Sequence, residues 1–347
     1  MGAYKNRVLR LRYLLLILVF FLISHVNYGQ RSVINKTATY EELYDDPYDV
    51  NKLFIHLIPA YGELFSTNIS IGWGIKGDYY HNDLFDVSLL FRKPYSKGTD
   101  FMRGIAEKNS DVLNTPVKFY FLELGGTYHI IDREEDAESK FVLYTKNYTR
   151  DNKWETMVPE YIVAPTKRRR IYGARLGGMN YKSTFDMNRV LADQGNSLVD
   201  SSGAALETQA SIFGNMGAAG LYIGGSMSLI KNVAVAFDKT YDNVANDLFF
   251  TAFFDILLFP SINVEDVYYR VDQNSPEVVY SSDVIETNPI GFRLGMEGKF
   301  NREFSWGYGA ELGYRPGIKG KGTIAMVRFS FPLFGHKLQH EVEAFGK

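Results

Sequence analysis

Ten charged residues, five basic and five acidic, occupy the polar positions of segments in which polar or small residues alternate with apolar ones. These residues are Lys76, Asp86, Arg92, Glu123, Arg175, Asp255, Arg293, Glu297, Glu311 and Arg328. A charge in an interior of low dielectric constant is costly unless an opposite charge pairs with it. Equal numbers of the two signs therefore predict an ion-pair network that fills an interior. The alternative is a row of charges that lines a selective channel for small solutes.

Residues that usually carry catalysis or bind metals are scarce. The chain has no cysteine, which excludes disulfide bonds, thiolate metal sites and cysteine nucleophiles. His336 and His340, followed by Glu341, could chelate a metal ion if they lay on a helix, but we expect a solvated tail instead. Histidine is absent from three long polar segments, which are 93–116, 183–216 and 261–288. The sequence therefore predicts no enzyme, no cofactor and no metal site.

Composition excludes two further classes of protein. With 46% apolar and 15% aromatic residues, the chain is too apolar to be intrinsically disordered. Its formal net charge of −2 offers no basic excess, so we expect no nucleic-acid partner.

The first 29 residues have the order of a secretory signal peptide. Residues 1–12 carry four basic side chains and no acid, and residues 14–23 form an unbroken apolar run. As a helix, that run reaches only about 15 Å, half of the roughly 30 Å hydrocarbon core, so a cleaved leader is favoured over an uncleaved anchor. No later run approaches the roughly 18 apolar residues of a membrane helix. The exported chain is therefore either soluble or a membrane β-barrel.

Alternation with a period of two is typical of β-strands and gives each strand two unlike faces. In residues 67–76, every second side chain from Ile69 to Ile75 is large and apolar, and the other face is small or polar. Segments 289–300 and 305–315 repeat this pattern. Glycine is concentrated on the polar face, and the segments reach about ten residues, longer than the usual five or six. The sequence therefore predicts a transmembrane antiparallel up-and-down β-barrel, in preference to a soluble sandwich or barrel.

Ten segments have this pattern, and an even number places both ends of the barrel on the same side. They are 53–60, 66–80, 84–92, 117–131, 168–182, 218–230, 247–259, 289–300, 303–314 and 321–332. Bacterial barrels keep their termini and short turns in the periplasm and their long loops outside. Residues 81–83 and 301–302 fit short turns, and the three long polar segments fit outer loops. Two further strands at 141–148 and 161–164 would give twelve, so the expected strand count is ten, within a range of eight to twelve.

The remaining segments complete the predicted organisation. We expect a signal peptide at 1–29, a periplasmic N-terminal arm at 30–52, the barrel at 53–333 and a C-terminal tail at 334–347, with a possible periplasmic insertion at 132–167. The basic run KRRR at 167–170 could bind anionic lipid head groups or a partner, although an ordinary interfacial anchor is the simpler interpretation.

The glycine-spaced strands, together with the segments GYGAELGYRP, GFRLGMEGKF and FSFPLF, resemble the outer-membrane β-barrel proteins of didermic bacteria. The resemblance covers residues 53–332 and implies an outer-membrane location in contact with lipid. It also implies that the barrel-assembly machinery reads the last strand, here 322–331, although this chain continues to Lys347 instead of ending there. Narrow barrels of this group often act as accessory subunits of envelope machines such as secretion or gliding translocons.

The sequence therefore predicts a non-enzymatic outer-membrane barrel with a filled or very narrow lumen. Its expected role is that of a structural or accessory subunit of an envelope complex, with protein partners. The alternative is a small-solute porin or transporter, and a surface enzyme is the third and least favoured hypothesis.

Overall fold

The computed structural model describes seven stretches of the chain. They are residues 40–81, 84–150, 154–206, 209–237, 244–271, 274–302 and 304–337, without the side chains of residues 142–161. The predicted signal peptide lies outside the described residues, as do His340 and Glu341. Among the described residues, no helix is long and apolar enough to cross a bilayer.

Within these stretches the chain forms seventeen β-strands and two α-helices. The strands are β1 (Tyr40–Asp45), β2 (Leu53–Phe65), β3 (Asn68–His81), β4 (Phe85–Pro94), β5 (Tyr120–Arg150), β6 (Trp154–Asp186), β7 (Phe213–Ile230), β8 (Val233–Phe237), β9 (Val244–Asn246), β10 (Leu248–Val264), β11 (Val267–Tyr269), β12 (Val278–Tyr280), β13 (Thr287–Asn288), β14 (Ile290–Phe300), β15 (Gly307–Tyr314), β16 (Gly317–Ile318) and β17 (Thr323–His336). The helices are α1 (Phe101–Asn109), which follows a 3₁₀ turn at Lys97–Thr99, and α2 (Met187–Gln194).

Ten of these strands close into one antiparallel barrel. Its order is β2, β3, β4, β5, β6, β7, β10, β14, β15 and β17, and β17 pairs back to β2. Each barrel strand therefore pairs with its neighbours along the chain, which confirms the predicted up-and-down topology and the strand number of ten. We call the end where β2 begins and β17 finishes the terminus end, and the opposite end the loop end.

The two extra strands considered at 141–148 and 161–164 are not additional barrel strands. They are continuations of β5 and β6, whose pairing runs from Tyr120 opposite Lys182 to Arg150 opposite Trp154. The ladder between β5 and β4 stops near the terminus end, where Tyr128 pairs with Phe85. Since β5 and β6 continue past their other neighbours, they leave the barrel as a single long hairpin.

The seam between β17 and β2 is irregular. Its register shifts between Phe329 and Phe331 and again between Pro332 and Phe334. The pairing of β2 with β3 also shifts, between Ile58 and Tyr61. Proline has no N–H to donate to a ladder and is confined to bulges and edges, so bulges at these places accommodate both Pro59 and Pro332.

The outer face of the barrel is apolar around its whole perimeter. Each of the ten strands contributes at least one large, exposed aliphatic side chain, for example Leu64, Ile71, Leu89, Leu124, Leu176, Ile223, Ile256, Leu294, Leu312 and Val327. The inner face carries the small, polar and charged residues, as the alternation predicts. We call this outward surface the apolar belt.

Glycine makes room for bulky side chains inside the barrel. The ring of Tyr222, a residue that is 2% exposed, lies across Gly125 of β5 and Gly177 of β6. A Cβ atom at Gly177 would lie 2.5 Å from two carbons of that ring. The guanidinium of Arg293, whose Cζ is 4.7 Å from the ring centroid, packs against the same ring. Tyr222 is therefore packed against the glycines of β5 and β6 and against Arg293.

Gly177→Ala is accordingly expected to lower the free energy of unfolding by about 1–3 kcal/mol, the usual cost of overpacking an interior. Gly62→Ala is the matched control, because no heavy atom lies within 4 Å of a Cβ placed there. Urea unfolding of both variants in detergent micelles measures the difference. Equal stability of the two variants would contradict the packing of Tyr222 against β6.

Apolar clusters occupy both ends of the barrel. At the loop end, the long connections fold over the barrel, and Phe185, Met187, Leu198, Phe259 and Ile318 are buried in one cluster. At the terminus end, a smaller cluster contains Val50, Phe54, Ile171, Ile230 and Phe249. The charged residues at the centre of the barrel interior therefore lie between two apolar clusters.

A small three-stranded sheet lies outside the barrel, in the order β1, β8, β9. Phe141 of β5 and Ala164 of β6 are buried in one cluster with Val233 and Val235 of β8. The base of the long hairpin is thus packed against this sheet.

Candidate functional site

The centre of the barrel interior is built around Arg293 of β14. Its guanidinium donates hydrogen bonds to the Glu123 carboxylate at 2.6 and 2.8 Å and to Asp255 Oδ2 at 2.9 Å. Glu311 Oε2 lies 3.5 Å from Arg293 Nη1. Each partner comes from a different strand, so one side chain links β5, β10, β14 and β15 across the interior.

The network extends from this centre in two directions. Arg175 of β6 donates from Nε to Asp255 Oδ1 at 3.0 Å. On the other side, Arg328 Nη1 lies 3.7 Å from Glu311 Oε1, and Arg328 also pairs with Glu297. Eight of the ten charged residues predicted from the sequence therefore lie in one connected chain of ion pairs, which are Lys76, Glu123, Arg175, Asp255, Arg293, Glu297, Glu311 and Arg328.

Lys76 connects this chain to a group near the terminus end. Its Nζ lies 2.7 Å from Glu297 Oε2 and 3.0 Å from Asp78 Oδ1. Lys299 reaches the same carboxylate, with Nζ 2.6 Å from Asp78 Oδ2, and lies 4.2 Å from the centroid of the Phe54 ring. The predicted set omitted Asp78 and Lys299. The alternation could have found both residues. Asp78 lies two residues after Lys76 on β3, and Lys299 lies two residues after Glu297 on β14, so each has the same inward face as its neighbour.

Arg92 does not join that network. It pairs instead with Glu63, at 2.7 Å from Nη1 to Oε2, and Arg315 Nη1 holds the other oxygen of Glu63 at 2.6 Å. All three side chains are 2% exposed or less. The Arg92 guanidinium lies 4.3 Å from the centroid of the Phe121 ring. This second cluster separates the central network from the apolar layer at the loop end.

Asp86 also lies apart, at the rim of the terminus end. Its Oδ2 atom is 3.1 Å from His129 Nε2, and His129 Nδ1 is 3.8 Å from Asp132. Asp132 in turn accepts a hydrogen bond of 2.7 Å from Arg169 Nε. The structure thus distributes the ten predicted residues over three groups, with Arg92 and Asp86 in the two smaller ones.

The basic run 167–170 is neutralised within the chain. The ladder between β5 and β6 sets this run opposite the acidic residues of β5. Glu135 accepts ion pairs from Arg168 at 3.1 Å and from Arg170 at 3.0 Å, and Lys167 pairs with Glu134 at 3.1 Å. These cross-strand pairs are the partners of the KRRR run within the chain.

The charges in this ladder act on one another. Desolvation would raise the pKa of the Glu135 carboxyl, but the hydrogen bond from Arg168 and the positive charges of Arg170 and Arg133 outweigh it and hold that pKa below its ordinary value. Glu135 is therefore ionised at neutral pH, and the base of the hairpin keeps its pairs there.

Little empty space remains inside the barrel. Two cavities of about 20 Å³ each are found there, and both are lined by Lys76, Glu297 and Arg328. Among the described residues, no group of three or more histidine or acidic side chains could hold a metal ion. The charged side chains of the interior are paired with one another, and these ion pairs cross the barrel from strand to strand.

Comparison with known proteins gives a limited result. No family model matches the chain, and no curated protein matches it. The chain is similar to the solved structure of Pseudomonas putida OprB, with 9% identity, a TM-score of 0.19 and coverage of 75% of this chain and 59% of that one. It is similar to OmpT, an outer membrane protein of Vibrio cholerae, at 8% identity and a TM-score of 0.17, over 82% and 99% of the two chains. The P. putida toluene transporter TodX, at 8% identity and a TM-score of 0.22, matches over 82% and 89%.

Proposed function

We propose that this protein is an integral outer-membrane barrel with a closed lumen, which serves as a structural or accessory subunit of a cell-envelope complex. The observation that carries the proposal is that the barrel interior is filled at successive levels. Apolar side chains occupy each end, and the Glu63 cluster and the Arg293 network lie between them.

The apolar belt supports the membrane location. Monomeric soluble proteins seldom expose a contiguous apolar patch larger than a few hundred Å², whereas here every barrel strand adds exposed aliphatic side chains. Exposed aromatic residues, including Tyr79, Tyr128 and Trp306, lie toward the terminus end, as in the aromatic girdles of membrane barrels. Because a closed sheet pairs its backbone groups between strands, it has no polar edge to present to hydrocarbon.

Strand number and charge balance favour a closed lumen over a channel. A barrel of about eight strands is just wide enough for side chains to fill, while aqueous pores are found at about 16 strands. Ten strands are close to the first case. The charges inside pair with one another, whereas a filter for ions or small solutes needs groups that face a passage.

The long hairpin supports the accessory role. Beyond Asp132, β5 continues for about 18 residues, or about 60 Å of extended chain. Among the described strands, only β6 pairs with this part of β5. An exposed strand edge is a ready template for pairing with another chain. We propose that the hairpin and the sheet formed by β1, β8 and β9 contact protein partners, and that the barrel-assembly machinery inserts the chain.

Planar-bilayer recording tests the closed lumen, with the full mature chain purified in mild detergent. We expect no single-channel steps above those of a protein-free bilayer. Stable, reproducible steps would overturn the closed lumen and favour the small-solute porin or transporter.

The same preparation, taken from native membranes, tests the accessory role. We expect a partner protein to co-purify at a fixed stoichiometry. Deletion of residues 139–164, the outer part of the long hairpin, is expected to abolish this co-purification. A monodisperse barrel without a partner, in preparations that retain native lipid, would contradict the accessory role and leave the barrel as a free-standing protein.

A further inference from the structure

A basic cleft opens at the loop end of the barrel, where the apolar belt stops. It is formed where β4 leads into α1 and where the chain enters β5, and its volume is about 270 Å³. Four basic side chains line it: Lys93, Lys97, Arg103 and Lys118. Tyr95 forms part of the wall, and its hydroxyl donates a hydrogen bond to the backbone oxygen of Pro59.

The negative charge at the cleft is largely engaged. Asp100 is fully buried and accepts hydrogen bonds from Asn68 Nδ2 at 2.8 Å and from the backbone N–H of Phe119 at 2.9 Å. Glu107 is exposed and pairs with Lys97 at 3.1 Å and Arg103 at 2.7 Å. Among the residues that the structure describes, no carboxylate pairs with Lys93 or Lys118. A positive excess therefore remains on the cleft.

Two of these lysines continue apolar rows of the barrel wall. On β4, Leu89, Phe91 and Lys93 share the outward face. Arg92, which lies between Phe91 and Lys93, points inward. Lys118 has the same outward parity as Leu122 and Leu124, which are exposed on β5. Each row thus changes from hydrocarbon side chains to an ammonium group at the loop-end rim.

Lys182 of β6 adds a third cation beside them, opposite Tyr120 in the ladder, and it is exposed. Elsewhere on this rim, Lys319 and Lys321 are already paired, with Glu286 and Asp193. Among the barrel strands and the residues that lead into them, Lys93, Lys118 and Lys182 are therefore the cations at this rim without a carboxylate partner in the part of the chain that the structure describes.

Apolar groups lie next to the cleft as well as below it. Phe101 and Ile105 of α1 are exposed, on the side of the helix that borders the same connection. A ligand that matches the whole surface needs an anionic head for the lysines and a hydrocarbon tail for the belt. A phosphate group binds well to clustered lysine and arginine side chains, because its oxygens can accept hydrogen bonds from several of these cations at once.

We infer that this cleft binds the phosphate-bearing head group of a membrane lipid, whose acyl chain lies along the outward rows of β4 and β5. We call it the lipid-phosphate site. The inference rests on the proposed membrane location. Each basic residue near an anionic surface contributes about 1 kcal/mol, which corresponds to about a fivefold preference at 25 °C.

Trp73 reports on the site, because it lies directly opposite Lys93 in the ladder between β3 and β4, and its ring is 6.1 Å from that of Phe91. The chain has three tryptophans, so Trp154→Phe and Trp306→Phe leave Trp73 as the only one. The full chain with these two changes is reconstituted in mixed micelles with acyl-brominated phosphatidic acid or acyl-brominated phosphatidylcholine. Bromine quenches the fluorescence of a tryptophan that the acyl chain contacts.

Half-maximal quenching by phosphatidic acid is expected at a concentration at least fivefold lower than for phosphatidylcholine. The triple variant Lys93→Gln, Lys97→Gln and Lys118→Gln is expected to lose this preference. The matched control, Lys319→Gln with Lys321→Gln, removes rim charge on paired lysines and is expected to retain it. Equal quenching by the two lipids, or an unchanged preference in the triple variant, would overturn the site while leaving the membrane location intact.

Two further outcomes identify other errors. If millimolar inorganic phosphate removes the preference for phosphatidic acid, the cleft takes a soluble phosphate and the assignment to a lipid is wrong. If neither brominated lipid quenches Trp73, hydrocarbon does not contact the apolar belt, and the proposed membrane location fails together with the site.

Discussion

Arg293→Ala is expected to destabilise the barrel by about 3–5 kcal/mol, the cost of removing one partner from a buried ion pair. Arg293 is 2% exposed, and its guanidinium is shared by Glu123, Asp255 and Glu311. Without it, three carboxylates would face one another in the interior. Asp255 would keep its ion pair with Arg175, and Glu311 would keep only the longer contact with Arg328. The free energy of unfolding in urea, measured in micelles, gives the size of the loss.

Two further variants separate charge from packing. Arg270→Ala removes an exposed arginine whose partner at 3.6 Å, Glu277, is exposed as well, and it should cost less than about 1 kcal/mol. Arg293→Met leaves the Glu123 carboxylate without its partner, and adding Glu123→Gln removes that unpaired charge. The double variant should therefore recover part of the stability that Arg293→Met alone loses. A loss below about 1 kcal/mol for Arg293→Ala would mean that water already solvates the interior, which would favour the channel.

Leu294→Arg, one residue further along β14, tests the opposite face. Leu294 points outward from the middle of its strand and is 57% exposed. On a soluble surface an arginine there would be nearly neutral, but at the middle of a bilayer it costs a membrane barrel about 2–4 kcal/mol. We expect the second result, measured as the difference in unfolding free energy after reconstitution into lipid vesicles.

The same substitution at Val279 is the matched control. Val279 belongs to β12, outside the barrel wall at the loop end, and is 44% exposed. Val279→Arg should change the stability by less than about 0.5 kcal/mol, as surface substitutions usually do. If the two arginine variants were equally stable in vesicles, the apolar belt would not lie in hydrocarbon.

Much of this fold could be predicted because one physical signal repeats ten times. Side chains alternate strictly along a strand, so a barrel wall between two unlike environments repeats the pattern in every strand. Glu297 and Arg293 could be assigned to the interior because they fall on the face of β14 opposite the apolar residues. The topology also followed from the sequence, since up-and-down barrels pair strands that are consecutive in the chain.

The parts that were missed depend on information that alternation does not carry. A bulge between Ile58 and Tyr61 reverses the parity of β2, so Glu63 points inward at a position that strict counting from Phe54 would assign to the outer face. Which carboxylate meets which arginine depends on the stagger between strands. Arg92 therefore has the predicted inward face, but its pairing with Glu63 could not be read from the alternation. The packing of the loops at the loop end rests on contacts between distant segments, for example Asn114 Nδ2 donating to the backbone oxygen of Asp266.

The closure of β17 onto β2 has a consequence for biosynthesis. In this seam, Ile324 pairs with Phe65, so the two halves of one ladder are translated more than 250 residues apart. Until β17 has been synthesised, the edge of β2 lacks the strand with which it pairs in the finished barrel. A premature stop codon upstream of β17 therefore removes the strand that closes this ten-stranded barrel onto β2.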